Sequence, residues 1–414
     1  MRNTHNIKKN IHDWTPLHYD TVTNKENAVW KWTTPRGLKA RDLSGSIPLQ
    51  YAAKNDSARM ARDMLRRGAD VDSQARDGRT PLHLAAAHGQ LATFEVLLQA
   101  GAALDIRDNV GRTPLHLASY GGHDAIVEEL GRQSNKDIRD RSGTTAIHLE
   151  AIAGNDQTVK LLIDLGAKYE VRDREGQTPL HWAASLGRIA TVQVLVKQKE
   201  LDLDATDASG FTPLHKAAEN GELEIMKLLI DAHADANIKM KSQDTALHLS
   251  IRNGHMEAVQ ILLEAQADEE AIGKGGKTML HLAAQKGHLD IARLFVERGA
   301  DLEATDEKKS TPLHLTSSSG HLDLVEFLVG MNATMQAEDD LERTPLRRAA
   351  RAKKSDVIRL LVGAGAADRW PEAFGDESPE DVVEQLDGSS LRRFIFRLGH
   401  PDSDLSSCDS TISD

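Results

Sequence analysis

Short blocks of apolar residues follow one another along the chain at an almost constant interval. Each block opens with a segment rich in alanine and leucine, such as LHLAAAHG from Leu82 to Gly89. It continues with a segment such as HLDLVEFLV from His321 to Val329. In the second segment the apolar residues recur at helical spacing, which indicates a helix that buries one face. The pattern predicts pairs of short helices joined by turns through most of the chain.

A tetrapeptide, Thr-Pro-Leu-His or a close variant, opens each block. Its threonine suits a helix N-cap, because the hydroxyl can accept a hydrogen bond from a free N–H group of the first turn. Its proline suits the first helical position, where no hydrogen bond is lost. We number the repeats 1 to 11 by the first residue of each tetrapeptide, which recurs every 32 to 34 residues: Thr15, Ile47, Thr80, Thr113, Thr145, Thr178, Thr212, Thr245, Thr278, Thr311 and Thr344.

Two other residue types recur at fixed places in these repeats. A glycine between the two segments is suited to end the first helix in a left-handed conformation. An aspartate precedes the tetrapeptide and favours a turn there, because its side chain can bond to nearby backbone N–H groups. The aspartates are Asp42, Asp108, Asp140, Asp173, Asp207, Asp306 and Asp339.

This combination of period, tetrapeptide, mid-repeat glycine and a Gly-Ala-Asp ending resembles the ankyrin-repeat family over about residues 10–372. The resemblance implies a mainly α fold: an ankyrin-repeat solenoid of about eleven helix-turn-helix units with β-hairpin connections. It also implies that the motif histidine makes hydrogen bonds around the hairpin and the threonine. The Leu of the tetrapeptide, for example Leu180 and Leu247, should lie in the core between neighbouring repeats.

The two ends of the chain depart from the repeat pattern. Terminal repeats of a solenoid must cover their outer face, so altered ends are expected. We therefore predict a degenerate N-terminal capping repeat over residues 1–41 and ten ankyrin repeats over 42–372. A degenerate C-terminal capping half-repeat should follow over 373–398. The small, polar and acidic stretch 399–414 is predicted to be a disordered tail.

Composition narrows the setting in which the protein acts. The formal net charge is −12, which disfavours direct nucleic-acid binding by the chain as a whole. The single cysteine, Cys408, excludes a disulfide framework and favours a cytoplasmic or nuclear location over secretion. No apolar run approaches the roughly 18 residues that a membrane span needs. We expect a monomer whose partners are one or more proteins.

The stretch AIGKGGKT, Ala271–Thr278, has the Gly-Lys-Thr ending of a phosphate-binding loop. Such a loop follows a buried strand and opens a helix. Here EAQADEE precedes it, which is not a core strand, and Thr278 is the capping residue of repeat 9. The sequence therefore disfavours nucleotide binding, which we keep as a remote alternative.

Histidines are numerous, but their positions do not indicate a metal site. Nine belong to the tetrapeptide and so lie one per repeat: His18, His83, His116, His148, His181, His215, His248, His281 and His314. No His-Glu-x-x-His or paired-cysteine pattern is present. No catalytic constellation emerges either, so we expect neither an enzyme nor a bound cofactor.

An arginine ladder is the first candidate interaction site. Arg107, Arg139 and Arg172 lie six residues before the motif threonine in three successive repeats, and Arg41 and Lys239 share that register. By resemblance, ankyrin proteins usually bind partners on this face. One hypothesis is therefore that the ladder binds an acidic segment, and the other is that each arginine pairs with the following aspartate and is merely solvated. The proposed partner-binding set is Arg79, Arg107, Arg112, Arg139, Arg172, Tyr120, Phe211 and Trp14.

A basic cluster in repeat 11 is the second candidate. Its residues, which resemble a nuclear-import patch, are Arg347, Arg348, Arg351, Lys353 and Lys354. Alternatively, the cluster neutralises the acidic stretch 366–414, which holds twelve acidic and four basic residues.

These observations favour a non-catalytic adaptor, scaffold or regulator that acts by protein–protein interaction. The alternative is a nuclear transcription coregulator that docks on a transcription factor.

Overall fold

The computed structural model describes residues 15–23 and 34–366. Within these ranges the chain forms 22 helices and no β-sheet, which confirms a mainly helical class. The first helix of repeat 1 is Pro16–Val22, and a short helix, Pro35–Leu38, precedes repeat 2. Repeats 2 to 11 each contain one helix pair: Pro48–Lys54 and Ala58–Arg66, Pro81–His88 and Leu91–Gln99, Pro114–Gly121 and Asp124–Gln133, Ala146–Ala153 and Asp156–Asp164, Pro179–Ser185 and Ile189–Leu195, Pro213–Asn220 and Leu223–Asp231, Ala246–Asn253 and Met256–Glu264, Met279–Lys286 and Leu289–Glu297, Pro312–Ser319 and Leu322–Gly330, Pro345–Arg351 and Ser355–Gly363.

The expected β-hairpin connections between repeats are not confirmed. In the described ranges they are tight turns, and the one isolated β-bridge joins Gly273 to Lys277. Hydrogen bonds across each turn are too few to extend into paired strands. The predicted half-repeat at 373–398 and tail at 399–414 lie outside the described residues, as does the segment 24–33 that follows the first helix of repeat 1. The count of eleven units and the domain division therefore stay predictions.

The chain divides into two compact units. Unit 1 comprises Met1–Pro213 together with Asp231–Ala234, and its described part holds the helices of repeats 1 to 6. Unit 2 comprises Leu214–Ile230 together with Asp235–Asp414, and its described part holds those of repeats 7 to 11.

Repeat 3 shows why these sequences form helices at these places. Thr80 takes the N-cap, and its hydroxyl accepts a hydrogen bond from the N–H of His83 at 3.4 Å. The N–H of Thr80 donates in turn to Nδ1 of His83 at 3.1 Å, which completes a capping box. The helix ends at Gly89, whose φ of +69° is a left-handed conformation that glycine adopts without strain.

The core of each unit lies between the helices of successive repeats. The motif leucine is buried throughout, and the predictions for Leu180 and Leu247 are confirmed at 1% and 0% exposure. Buried alanines such as Ala85 and Ala183 let the first helices of neighbouring repeats pack closely. The apolar groups are thus used inside the stack, which leaves the turns to present the polar side chains.

Candidate interaction surface

Seven of the turns in the described ranges are organised by the aspartate that the sequence singled out. In repeat 4, Oδ1 of Asp108 accepts hydrogen bonds from the N–H groups of Val110 and Arg112, both at 2.9 Å. The N–H of Asp108 donates to the carbonyl of Arg112 at 2.8 Å. The same pattern holds at Asp42, Asp140, Asp173, Asp207, Asp306 and Asp339. These carboxylates therefore shape the turns.

The second oxygen of the turn aspartate ties the turn to the first helix in three repeats. Chemically different side chains do this from the same helical position. The bonds are Tyr51 to Asp42 at 2.5 Å, Trp182 Nε1 to Asp173 at 3.0 Å, and Arg348 Nε to Asp339 at 2.6 Å. The turn is consequently held rigidly against its helix, whichever donor is used.

Neighbouring turns of unit 1 are bonded directly to one another. The residue four positions before the motif threonine, which we call the tip position, donates its N–H to a carbonyl of the preceding turn. The bonds are Arg76 to Ser44, Asn109 to Asp77, Arg141 to Val110, Arg174 to Ser142 and Ala208 to Glu175, at 2.8 to 2.9 Å. Side chains on consecutive turns are thereby held in a fixed row.

Most of the arginine ladder is part of this scaffold. The guanidinium of Arg139 donates to the carbonyl of Gly143 at 3.1 Å and to that of Arg172 in the next repeat. Arg172 donates to the carbonyls of Gly176 and Thr206, and Arg41 likewise bonds to its own turn and the next. The predicted ion pair with the following aspartate is wrong for Arg139 and Arg172. Their guanidinium groups bond backbone carbonyls instead.

Arg107 differs from the rest of the ladder. It is exposed, and its guanidinium makes no hydrogen bond or ion pair with any other residue in the described ranges. The preceding repeat has Gln74 in the same register, and that side chain bonds the carbonyls of Gly78 and Arg107. Of the predicted ladder residues in repeats 4 to 6, Arg107 is the one whose guanidinium is not engaged by another described residue.

The guanidinium groups of Arg79 and Arg112 contact aspartates of the turns. Nε and Nη2 of Arg112 contact Oδ2 of Asp108 at 3.1 and 2.9 Å. Nε of Arg79 lies 3.6 Å from Asp77 and 3.7 Å from Asp108. Burial acts to raise the pKa of Asp108, but the hydrogen bonds and charge of Arg112 outweigh it and leave the pKa below its usual value. Both arginines are therefore partly neutralised by the turn.

The aromatic residues predicted to contact a partner differ in their exposure. Tyr120 is 76% exposed, at the end of the first helix of repeat 4, and Val110 on the turn of that repeat is 46% exposed. Phe211 is half-buried, and its carbonyl accepts a hydrogen bond from Nε2 of His181 at 2.9 Å. Trp14 lies outside the described residues. Tyr120 is consequently the strongest aromatic candidate.

The sequence reasoning missed the tip arginines Arg76, Arg141 and Arg174. All three are exposed, and none makes a side-chain hydrogen bond or ion pair with another residue of the described parts of the chain. A signal was available, because the same residue type recurs four positions before the motif threonine. Asn109 interrupts that register in repeat 4, and its side chain bonds the carbonyl of Arg76 at 2.8 Å.

Only some residues of the basic cluster of repeat 11 are exposed and so accessible to a partner. Arg348 is 11% exposed at its side chain and contacts Asp339 at 2.6 Å and the hydroxyl of Ser310 at 2.8 Å. Arg347 donates to the carbonyl of Glu342 at 3.1 Å, and Lys354 is half-buried. Arg351 and Lys353 are exposed.

The glycine-rich stretch Ala271–Thr278 forms a repeat turn. Nζ of Lys277 donates to Gln285 at 2.7 Å, and Thr278 caps the helix that follows. A Cβ at Gly273 would lie 2.4 Å from the ring of His248 and 2.6 Å from Oδ1 of Asp244, which explains the glycine. A carboxylate beside this turn opposes phosphate binding.

The motif histidines serve the scaffold. In repeat 3, Nδ1 of His83 contacts the Thr80 hydroxyl at 2.8 Å, and Nε2 contacts the carbonyl of Arg112 at 3.0 Å. This confirms the structural role that the resemblance implied. Among the residues described, no group of three or more histidine, cysteine or acidic side chains could hold a metal ion. No helix there is long and apolar enough to cross a membrane.

Comparison with known proteins gives one match. A family model described as ankyrin repeats (3 copies) matches residues 49–141, 126–207, 147–241, 214–306 and 280–368. Together these matches cover well over half of the chain. The sequence matches no curated protein.

Proposed function

The chain belongs to the ankyrin-repeat family, and on that premise we propose that it is a non-catalytic adaptor, scaffold or regulator. Ankyrin repeats form protein–protein interaction modules. The turns and the exposed ends of the first helices in unit 1 would hold the partner. The observation that carries this proposal is a set of exposed arginines on rigid, mutually bonded turns whose charge the fold does not use.

The physical basis is preorganisation. Turns held by aspartate, by side chains of the first helix and by their neighbours lose little conformational entropy when a partner binds. Opposite charge on the partner would mainly speed its association. We further propose that the partner supplies an acidic segment, and that the protein acts as a monomer in the cytoplasm, the nucleus or both.

A nuclear transcription coregulator is the second candidate. Its support is the exposure of Arg351 and Lys353 in repeat 11. The proposal is weakened by Arg348, whose guanidinium is held by Asp339, because an import signal must be accessible to its receptor. A fluorescent fusion of the full chain, compared with its Arg351→Ala/Lys353→Ala variant, tests it. Loss of nuclear accumulation in the variant supports import by this patch, and equal distribution contradicts it.

The general proposal is tested by affinity capture with the full chain, followed by calorimetric titration of each captured protein in purified form. We expect at least one saturable complex that weakens when the unit 1 turn arginines Arg76, Arg107, Arg141 and Arg174 are changed to glutamine. Arg62 and Arg66 on the second helix of repeat 2, and Arg67 directly after it, are exposed in the same unit and give a control. The proposal fails if no captured protein forms a saturable complex with the purified chain.

A further inference from the structure

We propose that four arginines on consecutive turns of unit 1 bind an extended acidic segment of a partner protein, with one acidic side chain for each repeat. This inference rests on the proposed function and names the class of ligand and its spacing. The arginines are Arg76, Arg107, Arg141 and Arg174, and we call them the free-arginine row.

The first step is the contrast between free and engaged arginines. In the turns of repeats 2 to 6 the chain places nine arginines and six acidic residues, although the whole protein carries a net charge of −12. Arg41, Arg139 and Arg172 are held by backbone carbonyls, and Arg112 by Asp108. The arginines of the row have no such partner within residues 15–23 and 34–366.

The second step is continuity. Repeats 3, 4, 5 and 6 each contribute one member, so no turn in the series lacks a free arginine. In repeat 4 the tip position is occupied by Asn109, whose side chain is bonded to the carbonyl of Arg76. Arg107 supplies the charge of that repeat from two residues earlier.

The third step is spacing. Packed helices lie about 8–10 Å apart, and the turns follow the same stacking because their backbones bond directly to one another. An extended chain in the polyproline II conformation advances about 3.1 Å per residue with three residues per turn, so every third side chain lies on the same face. Acidic residues at about every third position would therefore meet successive arginines, and roughly ten residues would span the row.

The fourth step concerns the middle of the row. Val110, on the same turn as Arg107, and Tyr120, at the end of the following helix, are exposed apolar or aromatic side chains of repeat 4. A ligand with an apolar residue near its centre could contact them and exclude water from the adjacent ion pairs. Exposed acidic residues also mark the ends, since Asp77 and Glu175 follow Arg76 and Arg174 directly, whereas Asp108 after Arg107 is buried; the exposed pair would disfavour further negative charge on the ligand at the ends.

A protein ligand fits the row better than a nucleic acid. Binding of single-stranded nucleic acid usually combines basic residues with several aromatic stacking platforms. Aromatic residues make up only 4% of this chain, and Tyr120 is the one exposed aromatic residue among the described residues of repeats 2 to 6. Guanidinium groups suit carboxylates and phosphorylated side chains alike, because both accept paired hydrogen bonds.

The experiment uses three labelled probes and fluorescence anisotropy with the full chain. The first probe is a twelve-residue Gly/Ser peptide with glutamate at every third position and a central leucine. The second has the same composition with its glutamates consecutive, and the third is a twelve-nucleotide oligothymidine. The row variant is Arg76→Gln/Arg107→Gln/Arg141→Gln/Arg174→Gln. The control is Arg62→Gln/Arg66→Gln/Arg67→Gln together with Arg59→Gln, so that four arginines change in both.

We expect the spaced peptide to bind more tightly than the clustered one. The row variant should weaken its binding about tenfold or more at low salt, since exposed ion pairs each contribute modestly. The control should change binding less than about twofold, and rising salt should reduce the difference. Equal binding of both peptides, equal loss in both variants, or tighter binding of oligothymidine would each overturn the inference. A phosphoserine version of the spaced peptide distinguishes the two acidic chemistries.

Failure here and failure of the proposed function are distinguishable. A partner found by affinity capture that binds the row variant normally would refute the row and leave the function standing. If the peptide binds the row but no captured protein forms a saturable complex, the row is supported and the proposed function is refuted.

Discussion

At the residue scale, the motif histidine of repeat 3, His83, is a neutral group with a fixed tautomer. Nδ1 of His83 accepts the N–H of Thr80, so that nitrogen carries no proton and Nε2 donates to the carbonyl of Arg112. Burial lowers the pKa of His83 to about 4, and the hydrogen bond to Arg112 only partly offsets it. Because folding lowers this pKa, the stability that neutral His83 contributes to the fold is fully present above pH 6.5 and is lost as the pH falls towards 4.

The pKa of Glu150 is raised, whereas that of His83 is lowered, and this gives the first prediction. Glu150 is fully buried in repeat 5 at a place where repeats 3 and 4 carry alanine. Asn155 donates to its Oε2 at 2.9 Å, while Oε1 has no hydrogen-bond partner among the described residues. Burial raises the pKa of Glu150 to about 7 from 4.5. Ionisation therefore destabilises the fold progressively as the pH rises from about 4.5 through 7.

We expect Glu150→Gln to be more stable than the parent at pH 8, by up to about 3 kcal/mol for a shift of this size. The advantage should shrink to about 0.4 kcal/mol near pH 4.5, where the parent carboxyl is protonated in the folded state and half protonated in the unfolded state. The measurement is urea unfolding of both proteins between pH 4.5 and 8. The histidine effect is common to both proteins and cancels in the difference. A stability difference that does not change with pH would show that Glu150 is not buried in neutral form.

At the element scale, one arginine of a turn can be hydrogen-bonded to the backbone while another, two residues away, is exposed. Arg172 donates to carbonyls of its own turn and of the next repeat, whereas the side chain of Arg174 is exposed. This pair gives the second prediction. Arg172→Gln should lower the free energy of unfolding by about 1 kcal/mol, because two solvent-accessible carbonyls, one of them on the next repeat, lose a charged donor.

Arg174→Gln is the matched control and should change stability by less than about 0.5 kcal/mol, as most surface substitutions do. Hydrogen exchange of the turns at 172–177 and 206–211 would show where protection is lost. Equal destabilisation by both substitutions would mean that Arg174 also supports the fold and would weaken its proposed binding role.

At the scale of the whole molecule, stability is expected to be local. Each repeat packs mainly on its neighbours, so damage should not spread evenly through a unit. Leu180, which is 1% exposed in repeat 6, is the test residue for the third prediction. Leu180→Ala should cost about 2–5 kcal/mol through lost burial and a residual cavity.

Hydrogen exchange should show the loss in repeats 5 and 6, while repeat 2 keeps its protection. The surface change Lys160→Ala on the second helix of repeat 5 is a control, because that lysine is exposed. A uniform loss of protection across all repeats of unit 1 would contradict the local picture.

Much of the fold could be predicted from the sequence because its determinants are close together in the chain. The capping of Thr80 by His83 spans three residues, and the turn of Asp108 spans four. The period then repeats these local units, which indicated the helix pairs, the buried motif leucines and the structural histidines. The β-hairpin connections came from family resemblance instead and were not confirmed.

The candidate surface was only partly predictable, because it depends on contacts between repeats. In the sequence, Arg172 and Arg174 are two similar charges on one turn. Only the stacked structure brings the carbonyl of Thr206, 34 residues away, to the guanidinium of Arg172 and leaves Arg174 exposed. The sequence by itself determined which residues form the turns, since local hydrogen bonds shape them. The tertiary structure decided which arginines remain free, because Arg41, Arg139 and Arg172 are engaged by carbonyls of the next repeat.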